Sequence, residues 1–148
     1  MGEDGALFLS QGLIKNNSLE VLNVSNNNFG DEGAKHFANG MQGGVGYKLK
    51  ILDLSSNFIT DKGGLGIAQA INTCETLQQL LLSVNSLSDV TGEVFMDEMR
   101  FHKKLYRIDL TNNLVPLRFQ VVINQRCHRN DDTTDDKLIP NLKKELRK

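Results

Sequence analysis

The sequence predicts an α/β solenoid, a stack of short strand–helix units without a closed core, and three observations predict it. An LxxLxLxxN segment with an apolar residue two places further on recurs from Leu19 (LEVLNVSNNNF), Leu49 (LKILDLSSNFI), Leu77 (LQQLLLSVNSL) and Leu105 (LYRIDLTNNLV). The starts are 30, 28 and 28 residues apart, and self-similarity at a fixed period of this size marks a repeat architecture. Between these segments, apolar or small residues recur in steps of four, the spacing of one helix face.

The elements follow in order. Gly5, Leu9 and Leu13 stand ahead of Leu19 as Gly63, Ile67 and Ile71 stand ahead of Leu77, with Gly5 and Gly63 each 14 residues before the segment, so the chain opens on a helix whose unit has no strand. That is the expectation for a fragment of a longer array, or for a chain begun at an internal methionine. The first full unit continues into a helix through Phe29, Gly33, Phe37 and Met41, with its start expected at Asp31. The second continues through Ile59, Gly63, Ile67 and Ile71 from Thr60 or Asp61, and the third through Leu87, Thr91, Phe95 and Met99 from Ser88 or Asp89. All these start residues carry side chains that accept an amide proton at a helix N-terminus. The fourth helix runs through Val115, Phe119, Ile123 and Cys127, with Pro116 in its first turn, where a missing N–H costs nothing. After RNDDTTDD, the segment KLIPNLKKELRK carries Leu138, Leu142 and Leu146 on one helical face. Residues 1–130 therefore read as the array, and 131–148 as an acidic linker with a short amphipathic helix that either covers the last unit or docks elsewhere.

Over residues 1–130 this pattern resembles the leucine-rich repeat proteins of the ribonuclease-inhibitor-like, helix-containing subtype, with units of about 28 residues. The resemblance implies a right-handed solenoid with short parallel strands on the concave face and helices on the convex face. Elementary burial agrees, since no unit can hide its apolar face without a neighbour. Asn27, Asn57, Asn85 and Asn113 are expected to form a structural ladder, because an inward amide offers both the donor and the acceptor that a buried turn needs. Gly33 and Gly63 are expected to let helices approach closely, and Thr91 and Phe119 at the same places predict looser packing toward the C-terminus.

Composition excludes several functions. Seventeen Lys and Arg against 18 Asp and Glu leave a net charge of -1, which gives no drive toward nucleic acid or an acidic membrane. No apolar run approaches the roughly 18 residues of a membrane helix. Cys74 and Cys127 are too few for a disulfide framework and predict a reducing, cytoplasmic compartment, with cytoskeletal or ciliary association compatible. His36, His102 and His128 fall at unrelated places, so no catalytic or metal constellation assembles, and neither a cofactor nor an enzymatic activity is expected. Gly43-Gly44-Val45-Gly46-Tyr47-Lys48 precedes a strand and lacks Gly-Lys-Ser/Thr, so it reads as a turn rather than a phosphate loop.

The remaining candidate is the strand surface. With the first, fourth and sixth places inward, the third, fifth and seventh face solvent. The partner-binding residues expected there are Val21, Asn23, Ile51, Asp53, Gln79, Leu81, Arg107 and Asp109, rimmed by Lys50 and Tyr106 at the second place. Val21, Ile51 and Leu81 are apolar where solvation is expected, the mark of a contact surface. The reading is a non-enzymatic scaffold that binds a protein partner, with no nucleic acid and no membrane, and with end-to-end association through the uncapped N-terminal edge. The alternatives are a regulator of a GTPase or another enzyme, raised by Arg100, Arg107 and Arg118 because the activator of the GTPase Ran shares this repeat type, or a spacer from a longer axonemal or cytoskeletal array.

Overall fold

A computed structural model describes residues 1–42, 48–100 and 102–130. Helices and strands alternate: α1 Glu3–Lys15, β1 Val21–Asn23, α2 Gly30–Met41, β2 Ile51–Asp53, α3 Asp61–Ala70, β3 Gln79–Leu81, α4 Asp89–Glu98, β4 Arg107–Asp109 and α5 Leu117–Asn130, with one 3-10 turn, Ile71–Thr73, extending α3. The strands form one parallel sheet in the order β1-β2-β3-β4, and the helices pack in chain order beside one another on its other side. The expected acidic linker and amphipathic segment of 131–148, and most of the Gly43–Lys48 turn, lie outside the described residues.

Register follows the sequence pattern. Leu22, Leu52, Leu80 and Ile108 pair across the sheet as the fourth place of successive units. The leucines of the first, fourth and sixth places in the second and third units are fully buried, and the step-of-four residues Phe37, Met41, Ile59, Ile67, Ile71, Leu87 and Phe95 meet them from the helices in one continuous core. Each strand is three residues long, but its ladder runs on into the turn: the amides of Val24 and Asn26 donate to the carbonyls of Asp53 and Ser55, both at 3.0 Å. The turn then passes through the left-handed region at Asn26, Ser56, Val84 and Asn112, with φ of 59°, 55°, 55° and 53°.

The asparagine ladder is present and runs between units. Asn57 Oδ1 accepts from the amide of Asn27 at 3.0 Å, and Asn85 Oδ1 accepts from the amides of Asn57 and Ile59, each at 3.0 Å. In the other direction, Nδ2 of Asn57, Asn85 and Asn113 donates to the sixth-place carbonyl of the preceding unit, those of Val24, Leu54 and Leu82.

Helix starts correct one expectation. Thr60 and Ser88 are the N-caps of α3 and α4, accepting from the amides of Lys62 and Val90 at 3.3 Å each. Asp31, however, does not start α2, which begins at Gly30 after Phe29 without a side-chain cap. Its carboxylate serves the next unit instead, accepting from the amides of Thr60 at 2.8 Å and Gly63 at 3.1 Å and from the Thr60 hydroxyl at 2.8 Å. Asp61 repeats the arrangement one unit on, accepting from the Ser88 amide at 2.9 Å and from the Thr91 hydroxyl at 2.5 Å. Burial pushes the Asp61 carboxyl up, but the hydrogen bonds from Ser88 and Thr91 outweigh that and hold it below the usual carboxylate range. The series stops at Pro116, which occupies the column of Thr60 and Ser88 and has no N–H to give; Asp89 turns to its own Val90 amide, at 3.1 Å.

Gly63 has the role expected of it. A Cβ there would lie 2.7 Å from Ala34 Cβ and 3.0 Å from Asp31 Cα, so the close approach of α2 and α3 requires glycine. Toward the C-terminus the helix contacts thin from α1–α2 to α4–α5. Thr91 fills its glycine column with a buried hydroxyl tied to Asp61, and Phe119 is only half-buried.

Candidate protein-binding surface

The sheet sets the candidate residues in rows. Val21, Ile51, Gln79 and Arg107 are successive partners in the third-place row, and Asn23, Asp53, Leu81 and Asp109 in the fifth. Ser25, Ser55, Ser83 and Thr111 extend the face toward the turns, where the Ser83 hydroxyl donates to that of Ser55 at 3.0 Å.

The fifth-place side chains are partly committed to their own backbone. Asn23, Asp53 and Asp109 each accept through Oδ1 from the amide two residues on, at 3.0, 2.9 and 3.1 Å, the local bond that Asx residues favour at turns. Burial pushes Asp109 up, but the Thr111 hydroxyl and amide and the Arg107 guanidinium outweigh it and hold the carboxyl below its usual range. Leu81 therefore sits between two anchored carboxylates, Asp53 and Asp109. On the rim, Lys50 pairs with Glu20 at 2.9 Å, which holds the Glu20 carboxyl low, and the Tyr106 hydroxyl accepts from Gln79 Nε2 at 2.7 Å.

All the expected site residues thus lie on the strand face or its rim, but the apolar three do not form one cluster. Val21 and Ile51 are direct partners, whereas Leu81 stands one strand beyond Ile51 and one row over. Val21 is 55% exposed, and Ile51 and Leu81 are half-buried.

A second apolar surface escaped the pattern. On the turn edge Phe58, Val84 and Leu114 are 70%, 51% and 72% exposed, and Phe58 and Val84 line a shallow groove with Asn26, Asn28 and Ser56. Phe58 and Val84 both have positive φ, 58° and 55°. A β-branched residue rarely adopts that backbone. The signal was available at the eighth place of the unit, where Asn26, Ser56 and Asn112 suit a left-handed turn and Val84 does not.

The candidate reactive groups have structural uses. Burial pushes the Cys127 thiol up to about 11, far from a thiolate at neutral pH. His102 is buried ahead of β4; its Nδ1 accepts from the amides of Lys104 at 3.2 Å and Leu105 at 2.9 Å, while Nε2 faces the Cys74 carbonyl at 3.4 Å. Burial lowers its pKa against the pull of the Cys74 and Ile71 backbone. Protonation would aim a new N–H at two amide donors, so the unfolded chain binds this proton more readily than the folded one. Stability is then complete above the unfolded value of about 6.5 and falls as pH drops through it. Urea midpoints should decline between pH 7.5 and 5.5, and His102→Asn, which keeps a turn acceptor without titrating, should flatten that decline. An unchanged slope in the variant would remove His102 as its cause.

Among the described residues no helix is long and apolar enough to cross a membrane, and no three His, Cys, Asp or Glu side chains stand together as a metal site.

Comparison with known proteins places this architecture. A family model described as Leucine Rich repeat matches residues 15–38 and 48–68. The human NACHT, LRR and PYD domains-containing protein 13 is 30% identical over 102 residues, 69% of this chain; the chain spans 10% of that protein's length. Among solved structures, one titled Leiomodin-1 Actin-Binding Site 2 superposes with a TM-score of 0.77 at 16% identity, covering 99% of this chain and 82% of that one. The tropomodulin C-terminal domain of Caenorhabditis elegans superposes at 0.58 with 12% identity, covering 97% and 99%. The helix in every unit is compatible with the ribonuclease-inhibitor-like subtype. Repeat spacing, the inter-unit asparagines and the matched family model all describe one kind of unit, and this chain is a leucine-rich repeat protein.

Proposed function

We propose that this chain is a non-enzymatic interaction module of a reducing compartment that holds a protein partner against its strand face. The observation that carries the reading is the placement of Val21, Ile51 and Leu81 on the solvent side of the sheet beside the anchored charges of Asp53 and Asp109. Apolar side chains supply the contact area there, and fixed carboxylates supply the orientation. Aromatic anchors are scarce, with no tryptophan and two tyrosines in the sequence, so affinity comes from spread contacts rather than one dominant pocket. The exposed turn edge at Phe58, Val84 and Leu114 extends the same reading beyond the sheet.

The leiomodin structure's title names an actin-binding site, which makes actin the first partner to try. The test is capture from a native lysate, with actin co-sedimentation alongside. Ile51→Glu with Leu81→Arg should weaken retention of the captured partner at least tenfold, about 1.4 kcal/mol, while circular dichroism stays unchanged. Full retention by the folded variant overturns the strand face as the binding site.

A further inference from the structure

A net charge of -1 conceals a division of charge within the fold. The helix N-termini carry Asp31, Asp61 and Asp89 at the turn edge. Lys48, Lys50, Lys103 and Lys104 gather at the opposite edge, where the chain enters the strands, against Glu20 and Glu75. There Lys48, Thr76 and Lys104 each stand one residue before the first-place leucine of their unit, and Glu20, Lys50 and Gln78 hold the second place. Main-chain bonds keep the units in step: the amides of Lys50 and Gln78 donate to the carbonyls of Glu20 and Lys50 at 2.7 and 2.8 Å. These six side chains line one shallow groove.

Charge in the groove is unbalanced. Lys50 is matched by Glu20 at 2.9 Å, and Lys48 adds to the pull that holds the Glu20 carboxyl low. Lys48 and Lys104 are exposed and have no carboxylate partner within 4.0 Å among the described residues. Neighbouring strands lie about 4.8 Å apart, so these two lysines, two units apart with Thr76 between them, stand about 10 Å apart at the backbone. What fits is a chain that shows two carboxylates on one side at that separation. In an extended chain with about three residues per turn and a rise of about 3.1 Å, residues i and i+3 share a side about 9 Å apart.

This protein carries that spacing itself, in Asp132-Thr133-Thr134-Asp135, and α5 brings it to the groove. The Asn130 side chain donates to the carbonyls of His102 at 2.8 Å and Leu105 at 2.9 Å, on either side of Lys103 and Lys104. Asp132 follows two residues later. We propose that the acidic segment 131–136 of this chain lies across the groove as a strap, with Asp132 paired to Lys104 and Asp135 to Lys48. Exposed ion pairs are individually weak, and the short tether is what makes two of them enough: it holds the segment at an effective concentration of about a millimolar. An acidic segment of another molecule has only its own free concentration with which to compete. Lys50 also rims the strand face, so the strap borders the candidate partner surface, but the contact itself does not depend on that reading.

The test treats the 148-residue chain with a carbodiimide, which activates a carboxylate so that a touching lysine Nζ forms an amide with it and the reagent leaves as its urea. Linked peptides are then mapped in the monomer by mass spectrometry. Links from Asp132 to Lys104 and from Asp135 to Lys48 are expected, with the link from Glu20 to Lys50 as internal control. In Asp132→Asn with Asp135→Asn, Lys48 and Lys104 should acetylate about threefold faster than in the unchanged chain, the scale of exposed ion pairs, while exposed Lys62 on α3 keeps its rate. Links confined to a cross-linked dimer would assign the groove to a second copy and overturn the strap. So would links from these lysines to other carboxylates only, their absence where the control link forms, or unchanged acetylation in the doubly substituted chain.

Discussion

Replacing Phe37 with alanine is expected to cost about 3–5 kcal/mol, a fifth or more of the roughly 5–15 kcal/mol that holds a typical domain folded. Phe37 is fully buried in α2, with its ring tilted 55° against that of Phe29 at 5.3 Å between centroids. The helix is fixed on both sides by α1 and α3, and the Gly63 contact holds α3 close, so the surroundings are poorly placed to collapse into the space left behind. The cost therefore includes a cavity as well as lost burial. Phe119 occupies a looser place on α5 and is half-buried, so Phe119→Ala should cost about 1–2 kcal/mol less than Phe37→Ala, since partial exposure leaves less transfer energy to lose. Urea midpoints of the two variants decide it. Because a solenoid unit is stabilised by its neighbours, Phe37→Ala should also split the transition, the first two layers melting ahead of the rest. Equal costs at the two positions would show that burial between α1 and α3 does not set stability.

What the sequence displayed of this fold was its translation, and what it hid was the traffic between units. Leucines two and three residues apart, with asparagine at a constant offset, can satisfy one another only by stacking, so strand register and core were legible at Leu52, Leu80 and Asn57. The cap at Thr60 was legible too, because it acts within its own helix. Asp31 was misplaced because its partners, Thr60 and Gly63, lie 29 and 32 residues away; a local cap rule looks within one turn. On the candidate site, alternation predicted the rows, but not that Asn23, Asp53 and Asp109 each spend an oxygen on their own turn. The Asx-x-Ser/Thr spacing of Asn23-Val24-Ser25, Asp53-Leu54-Ser55 and Asp109-Leu110-Thr111 carried that information. The turn edge was illegible to a hydrophobic count because Phe58 and Val84 are unusual in backbone conformation, which composition does not report.

The asparagine ladder gives the second large effect, and its size follows from counting partners. Asn57 is fully buried; its Nδ2 donates to the carbonyls of Val24 at 3.0 Å and of Leu54 and Ser55 at 3.1 Å, and its Oδ1 accepts from the amides of Asn27 at 3.0 Å and Phe29 at 3.4 Å. Alanine leaves these backbone groups facing one another without a mediator. One stranded group costs about 1–3 kcal/mol, but neighbouring losses do not add in full, so Asn57→Ala should cost about 3 kcal/mol. Asn27→Ala should cost about 1 kcal/mol on the same scale, because Asn27 is half-buried and its Nδ2 serves carbonyls of its own unit. Asn57→Asp separates the two halves of the amide. It keeps the acceptor for Asn27 and Phe29 but turns a carboxylate oxygen toward three carbonyls, so it should be less stable than Asn57→Ala at pH 7. It should recover as pH falls, when protonation restores one donor to that cluster and removes the buried charge. Urea midpoints of the three variants at pH 7 and pH 4 test the order, and an aspartate variant that stays the weakest at both pH values would mean that Asn57 acts through its volume rather than through its hydrogen bonds.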